Sequence, residues 1–145
     1  MNIALIFAGS LGNGILLNTF SRFHSNLGQE VIVGVVRDPN FGPLVMFGSG
    51  GVEAEGLGDV AFALGPLGPS EADDLIRRTW AGRRLDGFRN LPPADKSAVR
   101  DALIGLSWLA HDHPEFMEIE INPLRVLAKG AFALDVRVSP QPGVQ

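Results

Sequence analysis

The stretch MEIEINPL, residues 117–124, alternates strictly between apolar and polar side chains as far as its proline. In an extended chain the apolar side chains lie on one face and the polar ones on the other, namely Glu118, Glu120 and Asn122. A second alternating run, FALDVRV at residues 132–138, carries Asp135 on its polar side. The two runs predict a β-hairpin with one apolar face and one face rich in side-chain oxygens.

The turn between these two strands decides which residues face each other. If the dipeptide Lys129-Gly130 forms a two-residue turn, Asn122 lies opposite Arg137. Asp135 then lies diagonally from Asn122 on the same face, about 7–8 Å away at the backbone, and one ion can contact both side chains. Glu120 lies two residues along that face.

A set of oxygen ligands on a rigid hairpin suits a hard cation such as Mg²⁺, which is held by one or two protein oxygens and completed by phosphates and water. The hairpin is therefore a candidate for nucleotide chemistry. The alternative is a solvated strand face whose acidic residues only keep the sheet soluble. The alternation alone leaves both interpretations open.

Two further strands and a glycine-rich segment precede the hairpin. The β-branched run at residues 31–36 predicts a strand that is covered on both faces, and a turn at residues 37–42 leads into a return strand at residues 44–47. Three of the four residues at 48–51 are glycines, which allow the backbone to approach a ligand closely. Acidic residues follow at Glu53, Glu55 and Asp59.

Two amphipathic helices are predicted between these strands and the hairpin. The first opens in a capping box at residues 70–73, and its apolar face comprises Ala72, Leu75, Ile76, Thr79 and Trp80. The second begins near Pro93 or Ala94 and ends at residues 111–114, and its apolar stripe comprises Val99, Ala102, Leu103, Leu106 and Leu109. The element order predicts an α+β (α/β-type) domain with a mixed sheet backed by two helices.

The composition restricts the classes of function. A chain of 145 residues fits one domain, and the absence of cysteine excludes disulfides and thiolate metal sites. A net charge of −4 without a basic stripe disfavours nucleic-acid binding. The apolar run at residues 3–8 has no basic residue before it and is soon interrupted by glycines. We therefore expect neither a signal peptide nor a membrane span. A cytoplasmic protein is the resulting expectation.

Several segments, in order, resemble the carboxy-terminal part of the ATP-grasp domain of ADP-forming acyl-CoA (acetyl-CoA) synthetases, which are relatives of the succinyl-CoA synthetase β subunit. The segments that carry the resemblance are residues 28–38, 41–48, 50–53 and 85–89, together with residues 118–124 and the pair Leu134-Asp135. The resemblance implies an ATP-grasp-like mixed sheet backed by two helices.

The resemblance also implies cofactors, Mg²⁺ and ATP or ADP, and roles for individual residues. The metal ligands are then Asn122 and Asp135. Residues on the nucleotide side are Glu30, Gly50, Gly51 and Glu53. Glu120 is the implied catalytic residue and faces a phosphohistidine brought in by a partner segment.

The family reaction joins a carboxylic acid to CoA while ATP is converted to ADP and phosphate. The resemblance implies that residues 28–138 supply only part of this site, with residues 1–27 unmatched and residues 139–145 a tail. The ATP-grasp amino-terminal lobe and a CoA-binding subunit or domain that carries the phosphohistidine are then required as partners. The alternative is a non-catalytic or regulatory ATP-grasp module, as in fusions with a protein acetyltransferase.

Overall fold

A computed structural model describes residues 28–51 and 58–143 of the chain. Its strands are β1 (Gln29–Asp38), β2 (Gly42–Ser49), β3 (Val60–Leu64), β4 (Phe116–Val126), β5 (Ala131–Ala133) and β6 (Val136–Pro140). They form one sheet in the order β3-β2-β1-β4-β5, and β6 pairs with β4 beside β5. Every pair of neighbouring strands among the described residues is antiparallel. Strand β3 was not predicted from the sequence.

The helices are α1 (Pro69–Arg77), α2 (Trp80–Arg84) and α3 (Lys96–Asp112). The predicted opening of α1 at residues 70–73 was wrong by two residues, because the capping box begins at Gly68, whose backbone N–H donates to the Glu71 carboxylate at 3.1 Å. The prediction that Thr79 continues the apolar face of α1 was also wrong. Thr79 has an extended backbone, and its hydroxyl accepts the N–H of Gly82, so it caps α2 instead.

The hydrophobic core lies between one face of the sheet and helices α1 and α3. Its largest fully buried side chains include Val31, Val33, Val45, Phe47, Leu75, Ile76, Leu103 and Ile121. The predicted stripe of α3 was wrong at Leu109, which is exposed, whereas Ser107 and Ala110 are buried. Ser107 is tolerated there because its hydroxyl accepts the N–H of Leu67 at 2.9 Å.

The predicted register of the hairpin was wrong by two residues. The connection between β4 and β5 is longer than a two-residue turn, and the N–H of Leu127 donates to the Gly130 carbonyl at 2.9 Å. Arg137 therefore pairs with Glu120 rather than with Asn122. A shift by two residues leaves every side chain on its face, and the division into an apolar and a polar face survives.

Asp95 forms hydrogen bonds that connect the turn between β4 and β5 to the start of α3. Its carboxylate caps the helix by accepting the N–H of Ala98 at 3.1 Å, and it accepts the N–H of Gly130 at 2.7 Å. The Gly130 bond is the largest influence on the pKa of Asp95, and although burial opposes it, the bonds from Ala98 and Ser97 keep that pKa below its ordinary value of 3.8.

Replacing Asp95 with alanine should lower the free energy of unfolding by about 1–2 kcal/mol, because a helix cap and the tether to the turn are both lost. Urea denaturation at pH 7 measures the effect, with Asp101→Ala, an exposed aspartate in the same helix, as the matched control. Equal stability of the two variants would contradict the assignment.

The same carboxylate should make stability depend on pH. Because the pKa of Asp95 is lower in the folded state, its contribution is fully present above the ordinary value of 3.8 and is lost as the pH falls through the folded-state pKa. The stability difference between the wild type and Asp95→Asn should therefore shrink in acid.

Within residues 28–51 and 58–143, no helix is long and apolar enough to cross a bilayer.

Candidate functional site

The candidate site lies on the face of the sheet that points away from the helices. On β1, the core residues Val31 and Val33 alternate with residues of the site face. On β4 and β6, Ile121 and Val136 point towards the core, and their neighbours point towards the site face. The predicted site residues on this face are Glu30, Glu120, Asn122 and Asp135. Glu53 lies outside the described residues.

Asn122 and Asp135 meet where the regular pairing of β4 is interrupted on both sides. Against β1, Val31 pairs with Leu124 and Val33 with Ile121, so that Asn122 and Pro123 form a β-bulge. On the other side, β5 has ended and β6 has not begun, and the N–H of Asn122 donates to the Asp135 carbonyl at 3.1 Å. The two residues thus lie directly opposite each other, closer than the predicted diagonal.

The two glycines after β2 connect this position to β1. The N–H of Gly51 donates to Asn122 Oδ1 at 3.1 Å, and the N–H of Gly50 donates to the Glu30 carbonyl at 3.3 Å. A Cβ on Gly50 would lie 2.4 Å from the backbone carbon of Val31, so no side chain fits there. Gly51 has a φ of +65°, and a Cβ on it would lie 2.0 Å from Glu30 Oε2. Glu30, Gly50, Gly51 and Asn122 are therefore brought together.

Arg125 holds the carboxylate of Glu30 in place. The two residues are directly opposite each other on β4 and β1, and the guanidinium forms an ion pair with Glu30 Oε1. The Arg125 side chain is only 13% exposed, which strengthens the interaction relative to a surface pair. Arg125 was not predicted from the sequence, because only the β-bulge at Asn122 and Pro123 places it on the same face as Glu30.

Glu120 lies between a glycine and an arginine on the same face. Gly34 of β1 is on one side and Arg137 of β6 is on the other. The nearest part of β1 thus adds no side chain beside Glu120. Among the described residues, no hydrogen bond or ion pair to the Glu120 carboxylate is formed, while Arg137 Nε lies 3.7 Å from the Asp135 carboxylate.

The side-chain oxygens of Asn122 and Asp135 fit a Mg²⁺ ion whose remaining ligands are nucleotide phosphates and water. In the described part of the chain, no group of three or more His, Asp or Glu residues could enclose a metal. Mg²⁺ does not need such a cage, because it commonly takes one or two protein oxygens. Asn122 Oδ1 has two lone pairs and uses one for Gly51, and the backbone of Asp135 lies directly opposite that of Asn122.

Comparison with known proteins identifies the family of this chain. A model of the ATP-grasp domain matches residues 11–139. The ADP-forming acetate–CoA ligase I of Archaeoglobus fulgidus is 45% identical over 111 residues, which cover 77% of this chain and 16% of that protein. The β subunit of the ADP-forming acetate–CoA ligase I of Pyrococcus furiosus is 43% identical over 112 residues, which cover 77% of this chain and 48% of that subunit.

A solved structure shares the fold. The dinucleotide-forming acetyl-coenzyme A synthetase 1 of Ca. Korarchaeum cryptofilum matches with a TM-score of 0.75 and 39% identity, over 79% of this chain and 54% of that chain. That protein was solved in complex with coenzyme A and Mg-AMPPCP, with its phosphohistidine segment pointing towards the nucleotide binding site.

The chain spans between 16% and 48% of the length of the two ligases it resembles. The predicted ATP-grasp-like fold is confirmed, and the match to the family model extends over most of the sequence. The chain therefore belongs to the ATP-grasp domain family.

Proposed function

We propose that this chain is the nucleotide- and Mg²⁺-binding part of an ADP-forming acyl-CoA synthetase, which converts an acid, CoA and ATP to acyl-CoA, ADP and phosphate. The observation that carries the proposal is the position of Gly51, which contacts Glu30 and donates to Asn122, directly opposite Asp135. The names of the related ligases support the reaction class, with acetate as the first acid to test.

Asn122 and Asp135 would hold the Mg²⁺ ion through their side-chain oxygens. When bound, the ion neutralises negative charge on the phosphate oxygens of the nucleotide. The chain's own contribution is to fix the two ligands: the Gly51 N–H orients the Asn122 amide, and the backbone bond between Asn122 and Asp135 sets their separation. Preorganised ligands of this kind need little rearrangement when the nucleotide arrives.

Glu30, Gly50 and Gly51 would form the nucleotide side of the site, and Glu53 remains a predicted member of it. The absence of side chains at the two glycines leaves the backbone open to a ligand. The ion pair with Arg125 limits Glu30 to one orientation, so its free carboxylate oxygen can accept a hydrogen bond from the nucleotide.

Glu120 would face a histidine supplied by a partner segment. A carboxylate beside an imidazole accepts its N–H, which fixes the tautomer and raises the basicity of the other ring nitrogen. The solved relative supports the role, since its phosphohistidine segment points towards the nucleotide binding site.

Residues 28–138 would act with two partners: the amino-terminal lobe of the ATP-grasp domain and a CoA-binding subunit or domain that carries the phosphohistidine. The short coverage of the related ligases supports this dependence. The last strand extends to Pro140, so the proposed tail at residues 139–145 begins within β6. The proposed location is the cytoplasm, where ATP and CoA are available.

Two measurements on the 145-residue chain test the proposal. Calorimetric titration should detect binding of ATP with Mg²⁺ and none in the presence of EDTA. An assay of ADP release with acetate and CoA should show no turnover by the chain alone and turnover once the two partners are added. Binding without reconstituted turnover would favour a non-catalytic module, and the absence of Mg²⁺-dependent binding would contradict the proposed function.

A further inference from the structure

Asp59 lies one residue before β3 and is hydrogen-bonded to Ser49 at the end of β2. Its backbone carbonyl accepts the N–H of Ser49 at 3.0 Å, and its carboxylate accepts the Ser49 hydroxyl at 2.8 Å. The approach is so close that a Cβ on Gly48 would lie 2.0 Å from the Asp59 carbonyl oxygen. The end of β2 and the start of β3 are therefore held together by main-chain and side-chain bonds.

The same carboxylate binds the first turn of α2. It accepts the N–H groups of Trp80 and Ala81, each at 2.8 Å. Three donors thus converge on one carboxylate: the Ser49 hydroxyl and these two amides. We call this group the Asp59 clamp, consisting of Asp59, Ser49, Trp80 and Ala81.

The clamp lies one residue from the glycines of the candidate site. Ser49, which is 1% exposed, pairs with Val31 and is followed directly by Gly50 and Gly51. The hydroxyl and the N–H of Ser49 are both bound to Asp59. These two bonds fix the direction in which the backbone continues from Ser49 to Gly50. That direction brings the Gly51 N–H to Asn122 Oδ1 at 3.1 Å.

We infer that Asp59 is a positioning residue that holds Gly51 against Asn122 and so presets the Asn122 amide for ligand binding. This inference rests on the proposed function for its consequence, Mg²⁺-nucleotide affinity, but its structural part concerns the ligand-free chain. Asp59 itself touches neither Glu30 nor Asn122 nor Asp135 in the described structure.

The charge state of Asp59 is consistent with this role. Burial by itself would raise the pKa of Asp59, but the N–H groups of Ala81 and Trp80, the Ser49 hydroxyl and the charge of Arg83 outweigh it and lower the pKa below the ordinary value of 3.8. The carboxylate is therefore ionised at neutral pH, and its three hydrogen bonds are charge-assisted.

The substitution Asp59→Asn tests the inference, because an amide keeps the shape but cannot accept from three donors. Amide hydrogen exchange, followed by NMR on the ligand-free chain, should become about tenfold faster at Gly51, as expected when one charge-assisted interaction is lost. Core amides such as those of Val33 and Phe47 should keep their exchange rates. Asp101→Asn removes the same charge from an exposed position and should change neither.

A nucleotide titration of the same variants tests the consequence. Asp59→Asn should weaken Mg-ATP binding by about tenfold relative to the wild type and to Asp101→Asn. If the wild type binds no nucleotide, the proposed function fails, while the exchange of Gly51 still decides the role of Asp59.

Unchanged exchange at Gly51 in Asp59→Asn would overturn the inference. Equal acceleration at Gly51 and in the core would also overturn it, because Asp59 would then contribute only to global stability. If Asp59→Asn does not fold, Ser49→Ala, which removes one of the three donors and leaves the carboxylate, is judged by the same two criteria.

Discussion

Replacing Asp135 with alanine should weaken binding of Mg-ATP to the 145-residue chain by about a hundred-fold, because the proposed function makes its carboxylate a charged ligand of the metal. Asp135 lies directly opposite Asn122 and is held there by the bond from the Asn122 N–H to its backbone carbonyl. That bond does not involve the side chain, so the fold of the hairpin should survive the substitution. The loss should therefore appear in binding and not in the midpoint of urea denaturation.

Calorimetric titration with Mg-ATP measures this effect, and the wild type in EDTA should show no binding. Asp112→Ala removes the same group from an exposed position at the end of α3 and should leave binding unchanged. Asn122→Ala should weaken binding through loss of the second ligand. Wild-type affinity in Asp135→Ala would remove this residue from the metal site.

Replacing Gly82 with alanine should destabilise the fold by about 3 kcal/mol, a large part of the stability of a domain of this size. A Cβ at this position would lie 1.7 Å from the Ile76 carbonyl oxygen and 2.5 Å from its carbon. That carbonyl cannot easily move away, because it accepts both the N–H and the hydroxyl of Thr79. Helices α1 and α2 would have to separate.

Urea denaturation at pH 7 measures the loss, and Gly68→Ala provides the comparison. A methyl group on Gly68 would meet only the end of the flexible Glu71 side chain, at 2.7 Å, so that variant should lose far less stability. Similar losses in the two variants would show that close approach of the backbones at Gly82 does not control stability.

Periodic patterns predicted the elements that bury one regular face. The alternation at residues 117–124 and the β-branched run at residues 31–36 both became strands, and α3 began within three residues of its predicted start. Strand β3 was missed because it is only five residues long and follows a glycine-rich segment. Its conformation is decided by its pairing with β2, which the sequence pattern does not show. The break at Thr79 was missed because a threonine cap leaves the helical spacing of apolar residues intact.

In the candidate site, too, some features could be predicted from the sequence and others could not. Alternation placed Glu120, Asn122 and Asp135 on one face, but the register of the hairpin depended on the length of its turn, which residues 127–130 did not reveal. The contacts of Arg125 with Glu30 and of Asp59 with Ser49 depend on how strands pair and where helix α2 lies. Such contacts between distant elements leave no periodic signal in a single sequence.

The use of an amide at position 122 has a consequence for what the site selects. A carboxylate at this position would repel Asp135 directly across the strands, whereas Asn122 supplies an oxygen without charge and shares it with Gly51. The ion pair between Glu30 and Arg125 removes a further net negative charge nearby. A less negative surface attracts free divalent cations weakly and repels the phosphates of a nucleotide less. If Asn122 and Asp135 bind Mg²⁺ as proposed, the amide would favour a metal that arrives already bound to a polyanion over the bare ion.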